Sequence, residues 1–207
     1  QQPKVQLQIR HPFETFVERA ENEWPLARTE WTKMYFEPND KSLSKLTPDV
    51  TKTVTYEALS DGLTFLTTPV EAETEITGPV AAKMFVSSET EDADLFLVLR
   101  AFTPDMRELV YQGSNDPHTP VGLGWLRASH RKLDAEQTLP YRPYHSHDEV
   151  QPLTPGEIYE LDIEIWPTSI VLPEGYRLGL SLRGRDYVYP GFEAGQGTVA
   201  GRVYYGV

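Results

Sequence analysis

Residues 145–149 read His-Ser-His-Asp-Glu, and they are the strongest candidate in the sequence for binding a metal ion. Two imidazoles at positions i and i+2 with carboxylates beside them can ligate zinc or a similar ion. The spacing corresponds to no well-known metal site, however, and the sequence identifies no third or fourth ligand elsewhere. We therefore predict that this segment is a solvent-facing or interface loop that holds no metal.

The serines offer a second kind of chemistry, that of an acyl-transferring nucleophile. In α/β-hydrolases this serine lies in a Gly-x-Ser-x-Gly turn between a strand and a helix. The nearest match, residues 179–183, lacks the last glycine and lies in an alternating strand, so Ser181 is predicted to point outward. Ser129 and His130 are neighbours, and neighbours on a strand point to opposite faces. Ser146 also points away from its flanking imidazoles on an extended backbone, so the sequence predicts no catalytic residue.

Acidic side chains alternate along two further segments, and such rows could in principle do chemistry. Carboxylates at i and i+2 on a strand lie about 6.5–7 Å apart, which is in the range of an inverting glycosidase pair, and they could also bridge a hard cation. Any half-buried sheet with its polar side outward produces the same rows, so we interpret both as solvated faces. The two rows are Glu71, Glu73, Glu75 and Glu160, Asp162, Glu164.

The composition excludes several classes of function. The 207 residues include 19 Lys and Arg against 31 Asp and Glu, a net charge of −12, so nucleic acid is not an expected partner. There is no cysteine, which excludes thiol nucleophiles, thiolate metal sites and disulfides. The longest apolar run, residues 95–99, is too short to cross about 30 Å of hydrocarbon. No cofactor is predicted, and the lack of cysteine and of a signal-peptide core favours a cytoplasmic location.

The elements that position these residues are predicted to be strands, because hydrophobic alternation of period two runs through most of the chain. Only residues 12–23 could form a short helix, and residues 119–151 are the longest stretch with little strand signal. Many short strands separated by turns, with 17 prolines, indicate an all-β sandwich or barrel. The predicted strands are residues 5–9, 51–56, 63–67, 70–77, 80–88, 93–102, 107–111, 125–130, 158–165, 177–183 and 202–205, with a break at Gly78-Pro79.

A series of short motifs, weak singly but consistent in order and spacing, covers nearly the whole chain. It resembles the C-terminal domain of the cocaine-esterase-like (CocE/NonD) hydrolases, a domain also found in X-Pro dipeptidyl-peptidases and α-amino-acid ester hydrolases. The motifs are Glu23-Trp24-Pro25 followed by Trp31 and Tyr35, then Gly78-Pro79-Val80, Ala93-Asp94-Leu95 and residues 124–131, 141–145, 153–157, 161–168 and 175–178.

The resemblance implies an antiparallel jelly-roll β-sandwich of the galactose-binding-domain type with little helix and no catalytic residues. In that family a preceding α/β-hydrolase domain carries the Ser-Asp-His triad. We therefore expect residues 1–207 to be one jelly-roll domain taken from a larger serine hydrolase. Its partner would be the catalytic domain of the same polypeptide, along which it packs to shape one wall of the substrate cleft. Homo-oligomerisation through the parent enzyme is also expected, but membrane binding is not.

Residues 125–149 are the region that we expect to meet the catalytic domain or line its cleft. The region is long and rich in aromatic and histidine side chains, which suits a partly buried polar interface. The candidate residues are Trp125, Arg127, His130, Tyr141, Tyr144, His145, His147 and Asp148.

Two other interpretations stay open from the sequence. The chain could be a free-standing carbohydrate-binding β-sandwich module, with tryptophans such as Trp31, Trp125 and Trp166 as a sugar platform. A metal-dependent enzyme built on His145 and His147 is the least favoured. The sequence does not distinguish an ester from an amide substrate for the parent enzyme.

Overall fold

The computed structural model describes residues 2–13, 15–113 and 117–189, which form two packed β-sheets and a short 3₁₀ helix. The predicted strand at residues 202–205 lies outside the described residues. Within them, no helix has the length and apolar character needed to cross a membrane. The elements are β1 Val5–His11, β2 Thr15–Glu21, β3 Tyr35–Glu37, β4 Ser42–Ser44, β5 Leu63–Leu66, β6 Thr74–Val86, β7 Asp94–Phe102, β8 Glu108–Leu109, β9 Gly122–Arg127, the 3₁₀ helix Ala128–His130, β10 Tyr159–Leu172 and β11 Arg177–Arg183.

The topology confirms the predicted all-β sandwich with mostly antiparallel strands. The first sheet has the strand order β2-β1-β10-β6. The second has the order β3-β4-β5-β11-β7-β8, and β9 also pairs with β7. Two neighbouring pairs, β1 with β10 and β4 with β5, run parallel.

The core lies between the sheets and follows the period-two pattern of the sequence. Leu161, Ile163 and Ile165 of β10 are almost completely buried, as are the core-facing leucines of β7. On β11, Leu180 and Leu182 are buried as predicted, but Leu178 is only half-buried. Because alternate residues point to one face, these side chains meet in a single apolar layer.

The pair Gly78-Pro79 does not break the chain into two strands, contrary to the prediction. β6 runs through it and pairs with β10 on both sides, with a shift in register between Ile165 and Thr168, opposite this pair. Proline has no N–H to donate, so it is tolerated where the ladder is already interrupted. The result is one long strand, and a bulge at Trp166-Pro167 whose two residues are exposed.

Other boundaries were also wrong. Residues 12–23 contribute to the antiparallel hairpin of β1 and β2 instead of a helix, with Val5 paired to Glu21 at its open end. No strand forms at residues 51–56, although Val54 and Tyr56 pack against the core from a loop. The predicted strand at residues 70–77 begins only at Thr74.

The outer face of the second sheet carries a buried polar cluster. Ser181 points away from the leucines of β11, as predicted, but it is 1% exposed and therefore does not face solvent. Its hydroxyl lies 2.7 Å from that of Thr64 and accepts a hydrogen bond from Arg100 at 3.2 Å. Arg100 also forms a two-pronged ion pair with Glu108, which accepts a further bond from the Tyr187 hydroxyl. Burial, and next the Glu108 carboxylate, raise the pKa of Tyr187.

Candidate functional site

The 3₁₀ helix after β9 brings three histidines together. It places His130 beside His147, with 3.2 Å between their Nδ1 atoms, and the His145 ring centroid lies 6.0 Å from that of His147. His147 has φ = 52°, a left-handed conformation that is uncommon for a residue other than glycine. In the described ranges, no three His, Asp or Glu side chains are grouped so that they could hold a metal ion. The three rings thus form a polar cluster on this loop and the adjoining 3₁₀ helix.

His145 is half-buried, whereas His147 is exposed. Burial, reinforced by His147, lowers the pKa of His145. Its Nε2 atom is buried and has no hydrogen-bond partner in the part of the chain that the structure describes. The neutral imidazole is therefore favoured at this position.

The acidic end of the same loop is held by local contacts. Asp148 accepts a hydrogen bond from the Ser146 hydroxyl at 2.5 Å and pairs with Lys132 at 3.0 Å. The Ser146 hydrogen bond, followed by that of Lys132, lowers the pKa of Asp148. Ser146 thus donates to a carboxylate whose pKa is lowered, and such a carboxylate is a weaker base than an imidazole.

Ser129 and His130 also do not form a nucleophile–base pair, but the reason differs from the predicted one. The predicted strand ends at Arg127, and both residues lie in the 3₁₀ helix. Ser129 is buried and donates from its hydroxyl to Asp92 at 2.6 Å. His130 contacts His147 instead. Among the described contacts, neither this serine nor Ser146 is bonded to a histidine.

The remaining predicted residues pair with side chains from other parts of the chain. Arg127 donates two hydrogen bonds to Asp94, at 2.8 and 2.7 Å, and the hydrogen bonding to this carboxylate raises the pKa of Arg127. Tyr141 stacks on Trp31 with 4.5 Å between ring centroids, whereas Tyr144 is exposed. The predicted set thus divides into the histidine loop and several separate contacts.

Trp125 lies beside Trp166, which the sequence suggested with it as part of a possible sugar platform, but the cleft next to them was not predicted. The Trp125 ring lies 5.2 Å from that of Trp166, and the two are 48% and 60% exposed. Trp166 in turn borders a cleft that also contains Arg10. The sequence did not single out Arg10 as a candidate site residue, because it occupies an ordinary outward position in an alternating strand.

Comparison with known proteins places this geometry in context. Residues 1–200 match the family model of the X-Pro dipeptidyl-peptidase C-terminal non-catalytic domain. The chain belongs to this family. The X-Pro dipeptidyl-peptidase C-terminal domain is described as non-catalytic.

Solved structures of similar architecture agree with the family assignment. A CocE/NonD family hydrolase from Staphylococcus aureus superposes with a TM-score of 0.86 at 26% identity, over 92% of this chain and 36% of that one. An aminopeptidase from a marine sediment Thaumarchaeota archaeon shares the fold, with a TM-score of 0.62 at 16% identity over 87% of this chain and 33% of its own. These similarities give no support to the carbohydrate-binding alternative.

Mycobacterial relatives extend the comparison at the level of sequence. Proteins named as serine esterases in Mycobacterium bovis and Mycobacterium tuberculosis are each 33% identical to this chain over 129 residues. The match covers 60% of this chain but 19% of the length of each relative. The relatives therefore contain much more polypeptide than the domain described.

Proposed function

We propose that this chain is the accessory β-sandwich of a serine hydrolase, packed on an α/β-hydrolase catalytic domain of the same polypeptide. The family match over residues 1–200 carries this proposal, because that family is described as non-catalytic and C-terminal. The mycobacterial relatives, named as serine esterases, favour an ester as the substrate of the parent enzyme over an X-Pro amide.

The side chains support an accessory role. Acyl transfer by a serine needs a base within hydrogen-bond reach, a group that orients the base and donors aimed at the oxyanion. Ser129 is bonded to Asp92, Ser146 to Asp148, and Ser181 to Arg100. None of these partners is an imidazole, because Asp92 and Asp148 are carboxylates and Arg100 is a cation that cannot accept a proton.

Fluorophosphonate labelling tests the proposal directly. The 207-residue chain and the full-length polypeptide that contains it are each treated with the probe and assayed on p-nitrophenyl acetate and an X-Pro p-nitroanilide. We expect labelling and ester cleavage only in the longer protein, at a serine outside this domain. Labelling of the 207-residue chain that is lost in Ser146→Ala but kept in Ser129→Ala would show that the domain is itself an enzyme.

The catalytic domain is proposed to contact the region of residues 125–149. Exposed Trp125, Tyr144 and His147 support this location, since aromatic side chains are enriched at interface centres. In the full-length hydrolase, Tyr144→Ala should raise KM for a bulky ester and leave acetate ester cleavage unchanged. An equal effect on both substrates argues against a cleft-lining role. Self-association of the hydrolase through this domain stays a prediction that light scattering tests.

A further inference from the structure

A cleft of about 330 Å³ opens where β1, β10 and the segment leading into β9 meet. No residue that the sequence proposed for the interface lies in its wall. Its lining combines a guanidinium with apolar and small side chains. The residues that matter here are Gln8, Arg10, Val121, Gly122, Trp166 and Thr168.

Arg10 is fixed in the cleft by one nitrogen of its guanidinium. Its Nη2 atom donates to the Val121 carbonyl oxygen at 2.8 Å and to the Thr168 hydroxyl at 2.7 Å. Its Cζ atom lies 4.5 Å from the centroid of the Tyr111 ring. The side chain is therefore held in one orientation before any ligand arrives, which lowers the entropic cost of binding.

The charge of Arg10 is not neutralised by the part of the chain that the structure describes. No ion pair between described residues includes it, whereas Arg19, Arg100 and Arg127 each bind a carboxylate. Partial burial lowers the pKa of Arg10, and the neighbouring Tyr111 opposes this shift. A partly buried cation without an anionic partner carries a desolvation cost that a bound anion removes.

Two exposed tryptophans form the apolar rim of the cleft. Trp166 lines the cleft and lies against Trp125, and about half or more of each side chain is in contact with solvent. Tryptophan and arginine are the residue types that most often carry the binding energy of protein interfaces. Anchors of this kind beside a charged pocket are typical of a docking surface.

We propose that the Arg10 cleft docks a segment of the catalytic domain through a carboxylate side chain, with Trp166 and Trp125 packing against that segment. This inference rests on the proposed function and adds a second contact, which shares only Trp125 with the region of residues 125–149. The Nε and Nη1 groups of Arg10 make no hydrogen bond to the described residues, so each can donate one charge-assisted hydrogen bond to a carboxylate oxygen.

The catalytic domain is favoured as the occupant because it is attached to the same chain. This domain covers 36% of the S. aureus hydrolase to which it is similar, so most of that chain lies outside it. A tethered segment is present at a high effective concentration, and one charged contact then suffices to fix its register.

Hydrogen exchange of the full-length hydrolase tests the proposal. Arg10→Gln removes the charge of the cleft, and Trp166→Gln removes part of its apolar rim while leaving the hydrogen bonds of Arg10 in place. The control is Arg107→Gln, at an exposed arginine between β7 and β8. We expect both cleft variants to speed exchange about tenfold in one catalytic-domain peptide that contains Asp or Glu, as loss of an interface anchor does. The control should leave that peptide unchanged. Arg10→Glu combined with an arginine at that acid should restore protection.

Three results would overturn the docking. One is unchanged exchange across the catalytic domain in both cleft variants, and another is an equal change in the Arg107→Gln control. Protection of residues 119–123 that appears only when sodium acetate is added would assign the cleft to a free carboxylate. Fluorophosphonate labelling of the same samples separates the two proposals, because a labelled enzyme with unaltered exchange retains the accessory function and loses the docking site.

Discussion

Replacing Glu108 by glutamine should destabilise the domain far more than the same change at a surface glutamate. The Glu108 side chain is 6% exposed and that of its partner Arg100 is 19% exposed. Two charge-assisted hydrogen bonds join them, one of them 2.8 Å long, and the Tyr187 hydroxyl donates a third to the same carboxylate. Glutamine keeps the size of the side chain but turns one acceptor into a donor that faces the guanidinium.

The expected loss of stability depends on the charge of Arg100, which Glu108→Gln leaves without its anionic partner. Loss of one partner of a buried pair costs about 3–5 kcal/mol because an uncompensated charge is left. Arg100 keeps partial access to water and glutamine still offers one acceptor oxygen, so we expect about 2–4 kcal/mol for Glu108→Gln. Replacing both members, as Arg100→Met with Glu108→Leu, leaves no charge unpaired and should recover most of that loss.

Urea unfolding followed by tryptophan fluorescence measures these differences. The matched control is Glu160→Gln, because the ion pair of Glu160 with Lys83 is about half exposed on both sides and should contribute less than about 1 kcal/mol. Equal shifts of the urea midpoint in Glu108→Gln and Glu160→Gln would refute the reasoning. So would a double variant that is less stable than Glu108→Gln alone.

Three further predictions concern packing and protonation. Gly124→Ala would place a Cβ 2.2 Å from the Glu164 carbonyl oxygen, so it should lower the free energy of unfolding by about 1–3 kcal/mol. Gly122→Ala is the control and should cost less, because its nearest contacts would be at 3.4 Å. Equal melting temperatures of the two variants would contradict this prediction. Leu180→Ala should cost about 2–5 kcal/mol in urea unfolding, and an unchanged midpoint would remove it from the core. The pKa of His145 is lowered in the folded state, so the unfolded chain binds the proton first as the pH falls below the usual histidine value of 6.5, and stability is lost there. His145→Gln should reduce the loss of stability between neutral and acidic pH, and an unaltered profile would show that another group is responsible.

Alternation along single strands was readable from the sequence because it depends on near neighbours. β10 is the clearest case, since Leu161, Ile163 and Ile165 are buried as the pattern predicts. The same alternation misled at Ser181, which is polar but buried. Its partners Thr64 and Arg100 are distant in the sequence and meet it only once three strands are aligned.

The site was predictable to a smaller extent. The sequence singled out His145 and His147, but their contact with His130 arises because a 3₁₀ turn ends β9, and no periodicity signals such a turn. Arg10 and Trp166 are 156 positions apart in the chain and come together through the parallel pairing of β1 with β10 and the bulge in β10. A pattern of neighbouring residues does not predict a contact between such distant positions.

The β1–β2 hairpin is joined to the rest of its sheet at one paired position, Arg10 with Ile170. By contrast, β10 and β6 are paired over nearly their whole length. Although the buried Ile9 and the Arg19–Glu75 ion pair also hold the hairpin, we expect it to detach as a subglobal unit at a lower free energy than unfolding of the sandwich. Because Arg10 belongs to both the hairpin and the cleft, the cleft exists only in molecules whose hairpin is attached. Whatever occupies the cleft must then shift this opening equilibrium toward the attached form, in proportion to its concentration and affinity.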